Sequence, residues 1–267
     1  MYRNMSWGFV PTMGALHDGH LSLVTKALED SNQCIVSIFV NPGQFNNRKD
    51  FDSYPIDTDS DLKLLEKAGV DFVFLPDEKE IYPKGLQTKV VESPLSSRLE
   101  GPARPGHFDG VCTVLTKFFN IVEPQSAYFG QKDAQQLLVV QKMVRDLDFS
   151  IKVIGCPTVR ESDGLAMSSR NRLLTPDHRC QAPTIFQSLL IAKKAILEGE
   201  RDSATIIDLI VKNITDPTDA KIDYIAVNHS QTLETLDRIG ENTLISLAVY
   251  FGDVRLLDNI TITKREM

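Results

Sequence analysis

Short apolar runs alternate with stretches of helical periodicity over about the first 156 residues, and this alternation constrains the fold more than any other feature. The apolar runs cover residues 7–10, 34–40, 71–75, 126–129 and 151–156. Parallel strands that are buried on both faces have this appearance, and each crossover between them needs a helix. The pattern therefore predicts an α/β fold with a Rossmann-like parallel sheet and helices on both of its faces.

Four of the intervening stretches carry apolar residues at helical spacing. Gly69 follows the second of these stretches directly and is a suitable helix stop. The spacing predicts helices that carry Leu21, Val24 and Leu28; Leu62, Leu65 and Ala68; Val111, Val114, Leu115, Phe118 and Val122; and Leu137, Val140 and Val144.

After residue 160 the order changes to helices followed by strands. Thr175 and Pro176 suit an N-cap and a first helical position, and they open an amphipathic stretch that reaches Gly199. We expect a second helix over residues 203–214 and strands over 222–228, 244–251 and 254–262, the last two joined by a tight turn at Gly252. The sequence thus predicts a Rossmann-like nucleotide-binding domain over 1–158 and a smaller C-terminal α+β domain over 159–267.

Composition and charge exclude several classes of function. The formal net charge of −7 opposes binding to a nucleic-acid backbone. No apolar run approaches the roughly eighteen residues of a membrane span, and the first ten residues lack the features of a signal peptide. Cys34, Cys112, Cys156 and Cys180 are widely spaced, which argues against a disulfide framework. We therefore expect a cytoplasmic protein with no nucleic-acid or membrane partner.

The unusual polar segments follow predicted strands. PTMGALHDGH follows the first strand, NPGQF the second and FGQKD the fourth. Ligands of open parallel sheets bind beyond the carboxyl ends of the strands, so we expect the three loops to converge on one crevice.

In the first of these loops, Gly14 allows a tight turn, and His17 and His20 lie near the start of a helix. The N-terminal end of a helix favours phosphate, and both imidazole rings can donate hydrogen bonds to an anion. One histidine could instead cap the helix or pack against the turn. The spacing of three would also suit two metal ligands, although a metal site needs more ligands than this segment supplies.

The loop FGQKD supplies Lys132, whose charge suits a phosphate. Asp133 and Gln136 allow a second interpretation, because an N-cap aspartate followed three residues later by glutamine resembles a capping box. Helix stability alone would then explain both residues.

Three further segments have weaker signals. Residues 166–172, AMSSRNR, place Ser168, Ser169 and Arg170 in a predicted loop that could wrap a triphosphate or close over it, and no Gly-x-Ser-x-Gly elbow supports a serine nucleophile. Residues 96–108 hold too many glycines and prolines for regular structure and could form a wall of the site with Arg104 and His107. Asp57, Asp59 and Asp61 suit helix caps, and Asp61 is a candidate Mg²⁺ ligand.

Six segments in order over nearly the whole chain resemble the pantothenate synthetase family, which belongs to the nucleotidyltransferase superfamily with a His-x-x-His motif. They are PTMGALHDGH, SIFVNPGQF, LEGPARPGHFDGV, FGQKDAQQL, PTVRESDGLAMSSRN and RLLDN. The resemblance implies the condensation of pantoate with β-alanine, with ATP and Mg²⁺, through a pantoyl-adenylate that releases pyrophosphate and then AMP. It also implies a homodimer.

The resemblance assigns residues to each ligand. His20 takes the position of a proton donor, with His17 and Lys132 as the other catalytic residues. Gln44 and Gln136 would bind pantoate, and Gln44 would also lie near β-alanine. The ATP-binding positions would be Met13, Gly14, Ala15, Leu16, His17, Asp18, Gly19, His20, Gly130, Gln131, Lys132, Asp133, Val159, Met167, Ser168, Ser169 and Arg170.

Two other functions are compatible with the same motifs. An adenylyltransferase of the superfamily would transfer AMP to another small substrate and stop there. A nucleotide-binding regulator would bind ATP without turnover. The chain also begins almost at its first predicted strand, without the amphipathic helix common in the family, so we expect dimer contacts or the sheet edge to differ.

Overall fold

The computed structural model describes residues 6–47, 51–52 and 54–264. The chain divides into two compact units, with the boundary between Pro157 and Thr158. The first unit holds a parallel sheet, and the second holds an antiparallel one. None of the helices among the described residues is both long and apolar enough to cross a membrane.

The sheet of the first unit has five parallel strands in the order β3-β2-β1-β4-β5. Its pairings confirm the predicted Rossmann-like sheet. On one side of β1 the chain adds β2 and then β3, and on the other side it adds β4 and then β5. The segments that follow the neighbouring strands β1 and β4 therefore run to opposite sides. Sheets of this kind bind ligands where those segments separate. The strands are β1 (Trp7–Thr12), β2 (Gln33–Ile38), β3 (Phe72–Phe74), β4 (Ser126–Gly130) and β5 (Lys152–Cys156).

Helices connect these strands and cover both faces of the sheet. Phe9 and Val10 are successive, fully buried residues of β1, so their side chains point to opposite faces. Val10 packs in a cluster with Val24 of the first helix, whereas Phe9 meets Phe118 of the fifth helix edge to face at 6.2 Å. The helices are α1 (Asp18–Asp30), α2 (Thr58–Ala68), α3 (Glu78–Ile81), α4 (Glu100–Ala103), α5 (His107–Val122) and α6 (Ala134–Asp146).

The periodicity located the four long helices, but the expectation of irregular structure over residues 96–108 was wrong. That segment contains the end of a 3₁₀ turn (Leu95–Ser97), then α4 and the first turn of α5. Gly106, in the left-handed conformation at φ 78°, is the N-cap of α5, so the glycine that suggested a loop serves as a helix boundary.

Over its described residues, 158–264, the second unit has three α-helices and an antiparallel sheet in the order β6-β7-β8, as predicted for an α+β fold. The helical stretch predicted from Pro176 to Gly199 is two helices, because Pro183 lacks the N–H that would continue the first one. Gly252 forms the turn between the last two strands. The elements are α7 (Pro176–Gln181), α8 (Thr184–Leu197), α9 (Ser203–Thr215), β6 (Lys221–His229), β7 (Thr243–Phe251) and β8 (Val254–Ile262).

Candidate active site

A buried aspartate fixes the backbone of the turn that follows β1. Gly14 and Ala15 have positive φ angles of 80° and 51°. The two carboxylate oxygens of Asp61, on α2, accept hydrogen bonds from the N–H groups of Ala15 and Leu16, both at 2.8 Å. A Cβ on Gly14 would lie 2.9 Å from the Asp61 carboxylate, so this position needs glycine for space as well as conformation. The side chains of Ala15 and Leu16 are buried, so their predicted contact with ATP would involve the backbone.

His17 and His20 cap the start of α1, and their hydrogen bonds indicate which ring nitrogen accepts. The N–H of Gly19 donates to Nδ1 of His17 at 3.1 Å, and the N–H of His17 donates to Nδ1 of His20 at 3.3 Å. Because a backbone N–H can only donate, neither Nδ1 carries a proton, and each neutral ring carries its proton on Nε2. The ring centroids are 4.1 Å apart. The capping alternative is therefore confirmed, and the same bonds make each Nε2 a donor.

The charge of His20 is controlled by its surroundings. Burial lowers its pKa to about 3, with further lowering by His17 and Lys132, while Asp133 raises it. The segment after β4 is therefore close enough to the start of α1 to act on His20. Lys132 is largely buried, with its Nζ 3.6 Å from an oxygen of Asp133. At neutral pH His20 is therefore an uncharged imidazole donor, and Lys132 lies close enough to act on it.

The segment after β2 reaches the same region. It forms a 3₁₀ turn (Pro42–Gln44), with Asn41 as the N-cap. Nε2 of Gln44 lies 3.2 Å from the sulfur of Met13, which follows β1. The register of β1 and β2, from Trp7 opposite Gln33 to Thr12 opposite Ile38, ends both strands at the same edge and explains this proximity.

His107 connects the backbone of Gln44 to Arg104. Nδ1 of His107 lies 2.7 Å from the carbonyl oxygen of Gln44, and its Nε2 lies 3.1 Å from Nη1 of Arg104. Since a carbonyl only accepts and a guanidinium only donates, the proton is on Nδ1 and Nε2 accepts. Burial, and then the charge of Arg104, lowers the pKa of His107 to about 4, so the ring is neutral. The two residues predicted to form a wall thus support Gln44.

At the start of α6 the capping-box alternative is wrong. Asp133 is the N-cap, but its side chain makes no capping hydrogen bond to the described backbone. Gln136 is partly buried on the first turn. Its neighbour Gln135, which sequence reasoning missed, accepts from the N–H of Glu100 and donates to the carbonyl oxygens of Leu95 and Arg98. A glutamine in an amphipathic helix gives no sequence signal for such contacts.

The segment AMSSRNR of the second unit is more regular than the predicted loop. Ser168 is the N-cap of a 3₁₀ helix (Ser169–Leu173), and its hydroxyl accepts from the N–H of Arg170 at 3.2 Å. The N–H of Met167 donates to the carbonyl oxygen of Val159 at 3.0 Å. Asn171 anchors the segment by donating to the carboxylate of Glu161 at 2.7 Å. Four of the five predicted ATP-binding residues of this unit therefore lie in this segment, and the fifth, Val159, is joined to it by the hydrogen bond from Met167.

The described residues do not form a protein cage for a metal ion. Among them, no three His, Cys, Asp or Glu side chains lie together as a metal site would require. Asp57 caps α2 by accepting from the N–H of Ser60 at 3.1 Å. Asp61 uses both oxygens on the turn after β1. Its assignment as a metal ligand stays a prediction, and the structure gives the carboxylate a different role.

These features define a class of protein. A doubly wound parallel sheet with imidazole side chains and a lysine where β1 and β4 diverge is a Rossmann-like α/β protein, and such sheets bind ligands at this switch point. The sequence profile of the pantoate–β-alanine ligase family matches residues 2–261. The chain belongs to that family.

Individual relatives cover almost the whole chain. It is 51% identical to pantothenate synthetase of Thermotoga petrophila over 94% of this chain and 90% of that protein. A crystal structure of pantothenate synthetase from Thermus thermophilus matches with a TM-score of 0.93 at 44% identity, covering 97% of this chain and 94% of that one. A pantoate–β-alanine ligase from Francisella tularensis, complexed with β,γ-ATP and β-alanine, matches with a TM-score of 0.80 at 38% identity, covering 98% and 91%.

Family membership settles the reaction class. The chain is a carbon–nitrogen ligase that uses ATP, forms AMP and joins pantoate to β-alanine.

Proposed function

We propose that the crevice beyond β1, β2 and β4 activates pantoate as an acyl-adenylate and then passes the acyl group to β-alanine. One observation carries this proposal: Nδ1 of His17 and of His20 each accepts a backbone N–H, which leaves Nε2 of each ring as the atom that can donate, and Lys132 is close enough to act on His20. An anion is the ligand that such a set of donors recognises.

In the first half-reaction, a carboxylate oxygen of pantoate attacks the α-phosphorus of ATP, and the bond from that phosphorus to the bridging oxygen of pyrophosphate breaks. Negative charge grows on the phosphoryl oxygens and on the leaving group. Positioning and fixed donors supply most of the catalysis in such a transfer. His17, His20 and Lys132 are the donors for this charge, and the low pKa of His20 keeps it a neutral donor.

In the second half-reaction, the neutral amine of β-alanine attacks the carbonyl carbon of the mixed anhydride. The amide bond forms, the amine loses a proton, and AMP leaves with the electron pair of the broken bond. An adenylate is already an activated acyl donor, so no covalent bond to the protein is needed.

Gln44 and Gln136 are the proposed residues for pantoate, and Gln44 also for β-alanine. Support comes from the placement of Gln44 beside Met13 at the ends of β1 and β2. Amide groups can orient the hydroxyl and carboxylate oxygens of pantoate without adding a second charge. Gln136 lies one turn into the helix that follows Lys132, partly exposed.

ATP is assigned to two groups of residues. In the first unit these are Met13 to His20 and Gly130 to Asp133, supported by the turn at Gly14 and the N-terminal end of α1. In the second unit they are Val159, Met167, Ser168, Ser169 and Arg170, supported by the family resemblance. A closing movement of the second unit over the nucleotide stays a prediction.

Mg²⁺ belongs to the proposal as a companion of the nucleotide. The described residues offer no ready-made cage, which fits an ion that is held mainly by phosphate oxygens and water. When bound, the ion would neutralise phosphate charge. Because Asp61 already serves two N–H groups, no step is assigned to it.

A homodimer and a cytoplasmic location complete the proposal. The dimer rests on the family resemblance, and light scattering on the purified chain would test it by mass. Support for a reducing compartment comes from the four cysteines, which are all free thiols, three of them buried.

Pantoate-dependent exchange between ATP and pyrophosphate tests the adenylation step without β-alanine. We expect exchange only when pantoate is present, and formation of pantothenate and AMP when β-alanine is then added. Exchange without pantothenate would contradict the ligase and favour an adenylyltransferase. ATP binding without exchange for any carboxylate would favour a regulator.

A further inference from the structure

Asn41 is a buried side chain whose hydrogen bonds are fully assigned. It is 1% exposed. Its Oδ1 accepts from the N–H of Gly43 at 3.1 Å and from the hydroxyl of Tyr82 at 2.5 Å. Its Nδ2 donates to the carbonyl oxygen of Gly110 at 3.1 Å and to Oε1 of Gln44 at 3.0 Å. Both lone pairs and both hydrogens of this amide are therefore engaged.

Two backbone groups determine which way the Asn41 amide faces. The N–H of Gly43 can only donate, so the atom beside it is the oxygen, and the carbonyl of Gly110 can only accept, so the atom beside it is the nitrogen. The nitrogen of Asn41 in turn requires an acceptor from Gln44. The orientation of the Gln44 amide is thereby fixed, with Oε1 toward Asn41.

This orientation turns the NH₂ group of Gln44 toward the end of β1. There Nε2 lies 3.2 Å from the sulfur of Met13, a weak acceptor that a ligand oxygen can replace. Gln44 is thus prepared to donate hydrogen bonds to an acid substrate rather than to accept them.

Tyr82 holds the far end of this chain of hydrogen bonds. It follows α3, is partly buried and lies with its ring centroid 6.3 Å from that of Phe39. Burial raises its pKa to about 12, so the hydroxyl keeps its proton at working pH. Packing against Phe39 requires the ring but not the hydroxyl, and the hydroxyl donates its hydrogen bond to Asn41.

We infer that Tyr82 is a positioning residue which, through Asn41, holds the Gln44 amide with its NH₂ toward pantoate. The inference rests on the proposed role of Gln44 in binding the acid. Without the Tyr82 hydroxyl, Oδ1 of Asn41 loses one of its two donors, and Asn41 holds Gln44 less firmly. This change weakens the binding of pantoate rather than the binding of ATP, because neither Tyr82 nor Asn41 has an assigned part in binding ATP.

The experiment is a double-mutant cycle on the full chain with Tyr82→Phe, Gln44→Ala and the pair. Tyr82→Phe removes one neutral hydrogen bond, and we expect this loss to raise the KM for pantoate about 3- to 10-fold. The KM for ATP should change less than about twofold. In the Gln44→Ala background the same change should raise the KM for pantoate by less than about twofold, since the residue through which it acts is gone. Tyr250→Phe, in the second unit, is the matched control and should leave both values unchanged.

Independent, additive effects of Tyr82→Phe and Gln44→Ala would overturn the inference that Tyr82 acts through Gln44. So would an equal rise in the KM values for pantoate and ATP, which is the pattern of general loosening.

A second measurement does not depend on turnover. With glutamine labelled by ¹⁵N, the side-chain amide signals of Gln44 should shift and broaden in Tyr82→Phe and stay unchanged in Tyr250→Phe. Unchanged Gln44 signals in Tyr82→Phe would overturn the inference even in an active enzyme. A wild-type chain without exchange activity would instead contradict the proposed function, whatever the amide signals show.

Discussion

His17 and His20 cap the first turn of α1 through Nδ1, and the same two hydrogen bonds leave the ring proton on Nε2. A protonated His20 would lose its capping bond, because Nδ1 could no longer accept the N–H of His17. Burial acts in the same direction by lowering the pKa of His20 to about 3. Helix capping therefore requires the neutral form of His20, in which the remaining ring proton is on Nε2.

This coupling predicts how stability depends on pH. The pKa of His20 is lower in the folded chain than the usual 6.5, so the unfolded chain binds more protons between these values, and the free energy of unfolding falls as the pH falls from 6.5 toward 3. In His20→Gln, glutamine can still cap but does not titrate. We expect a shallower fall of this free energy between pH 6.5 and 4, measured by urea unfolding.

His107 also has a lowered pKa and leaves a residual slope of the same sign. An unchanged slope in His20→Gln would mean that His20 is not buried as a neutral ring.

The proposed role of Lys132 as a cationic donor gives a prediction about rate. Removal of one fixed donor to a developing charge typically lowers the rate about 100- to 1,000-fold. Lys132→Ala should lower pantoate-dependent exchange by that factor and leave the thermal unfolding midpoint close to the wild-type value. Lys142→Ala removes a lysine that pairs with Asp146 on α6 and should change neither quantity. Near-normal exchange in Lys132→Ala would remove this residue from the mechanism.

Asp61 allows the structural and metal interpretations to be separated. In Asp61→Asn one N–H of the turn would face an NH₂ group, and a buried donor without an acceptor costs about 1–3 kcal/mol. We expect the free energy of unfolding to fall by that amount without added Mg²⁺, relative to Asp59→Asn on the exposed side of the same helix. If stability were unchanged and only the Mg²⁺ concentration for half-maximal exchange rose, Asp61 would be a metal ligand.

Sequence reasoning found features formed by residues that are close along the chain and missed hydrogen bonds between residues that are far apart along it. The turn at Gly14 and the histidines at a helix start are visible within ten residues. Tyr82 lies 41 positions from Asn41, and Asp61 lies 46 positions from Ala15. Only the folded sheet brings these pairs together, so no spacing along the chain could reveal them.

At the level of helices and strands, the sheet was predictable because strands buried on both faces and amphipathic helices have different periods. The predicted strand over 34–40 is β2 at Gln33–Ile38, and the helix marked by Leu62 and Leu65 is α2. Two predictions of secondary structure were wrong. The single-turn helix α4 lies in a segment that was expected to be irregular, and the missing N–H of Pro183 divides a stretch that was expected to be one helix. Periodicity needs two or more turns and cannot detect either.

The contact between α5 and the turn at Gln44 depends on two glycines. A Cβ on Gly110 would lie 2.1 Å from the carbonyl oxygen of Gly43, closer than any contact allows. Gly110→Ala should therefore displace the turn, cost about 1–3 kcal/mol of stability and raise the KM for pantoate more than the KM for ATP. Gly240→Ala, where a Cβ would meet open space, is the control. Wild-type kinetics in Gly110→Ala would mean that the turn does not position the acid.

At the scale of the whole molecule, the net charge of the chain differs in sign from the positive charge that the proposed site needs. The chain carries a net charge of −7 and yet acts on anionic substrates. In the proposed site, the neutral ring of His20 and the charge of Lys132 would bind phosphate without a broad positive surface that would also attract nucleic acid. Composition alone argues against a nucleic-acid partner, but it could not locate the donors.

The two units have separate hydrophobic cores, and this separation leads to a prediction about unfolding. Leu189 is fully buried in a cluster formed within the second unit, and Leu65 is fully buried in a cluster formed within the first. Leu189→Ala and Leu65→Ala should each cost about 2–5 kcal/mol by opening a cavity. Because each cavity loosens its own core, hydrogen exchange should rise mainly in the second unit for Leu189→Ala and mainly in the first for Leu65→Ala. An equal rise throughout both units in either variant would show instead that the chain unfolds as a single cooperative body. The boundary at Pro157 would then separate two structural units that share one free energy of unfolding.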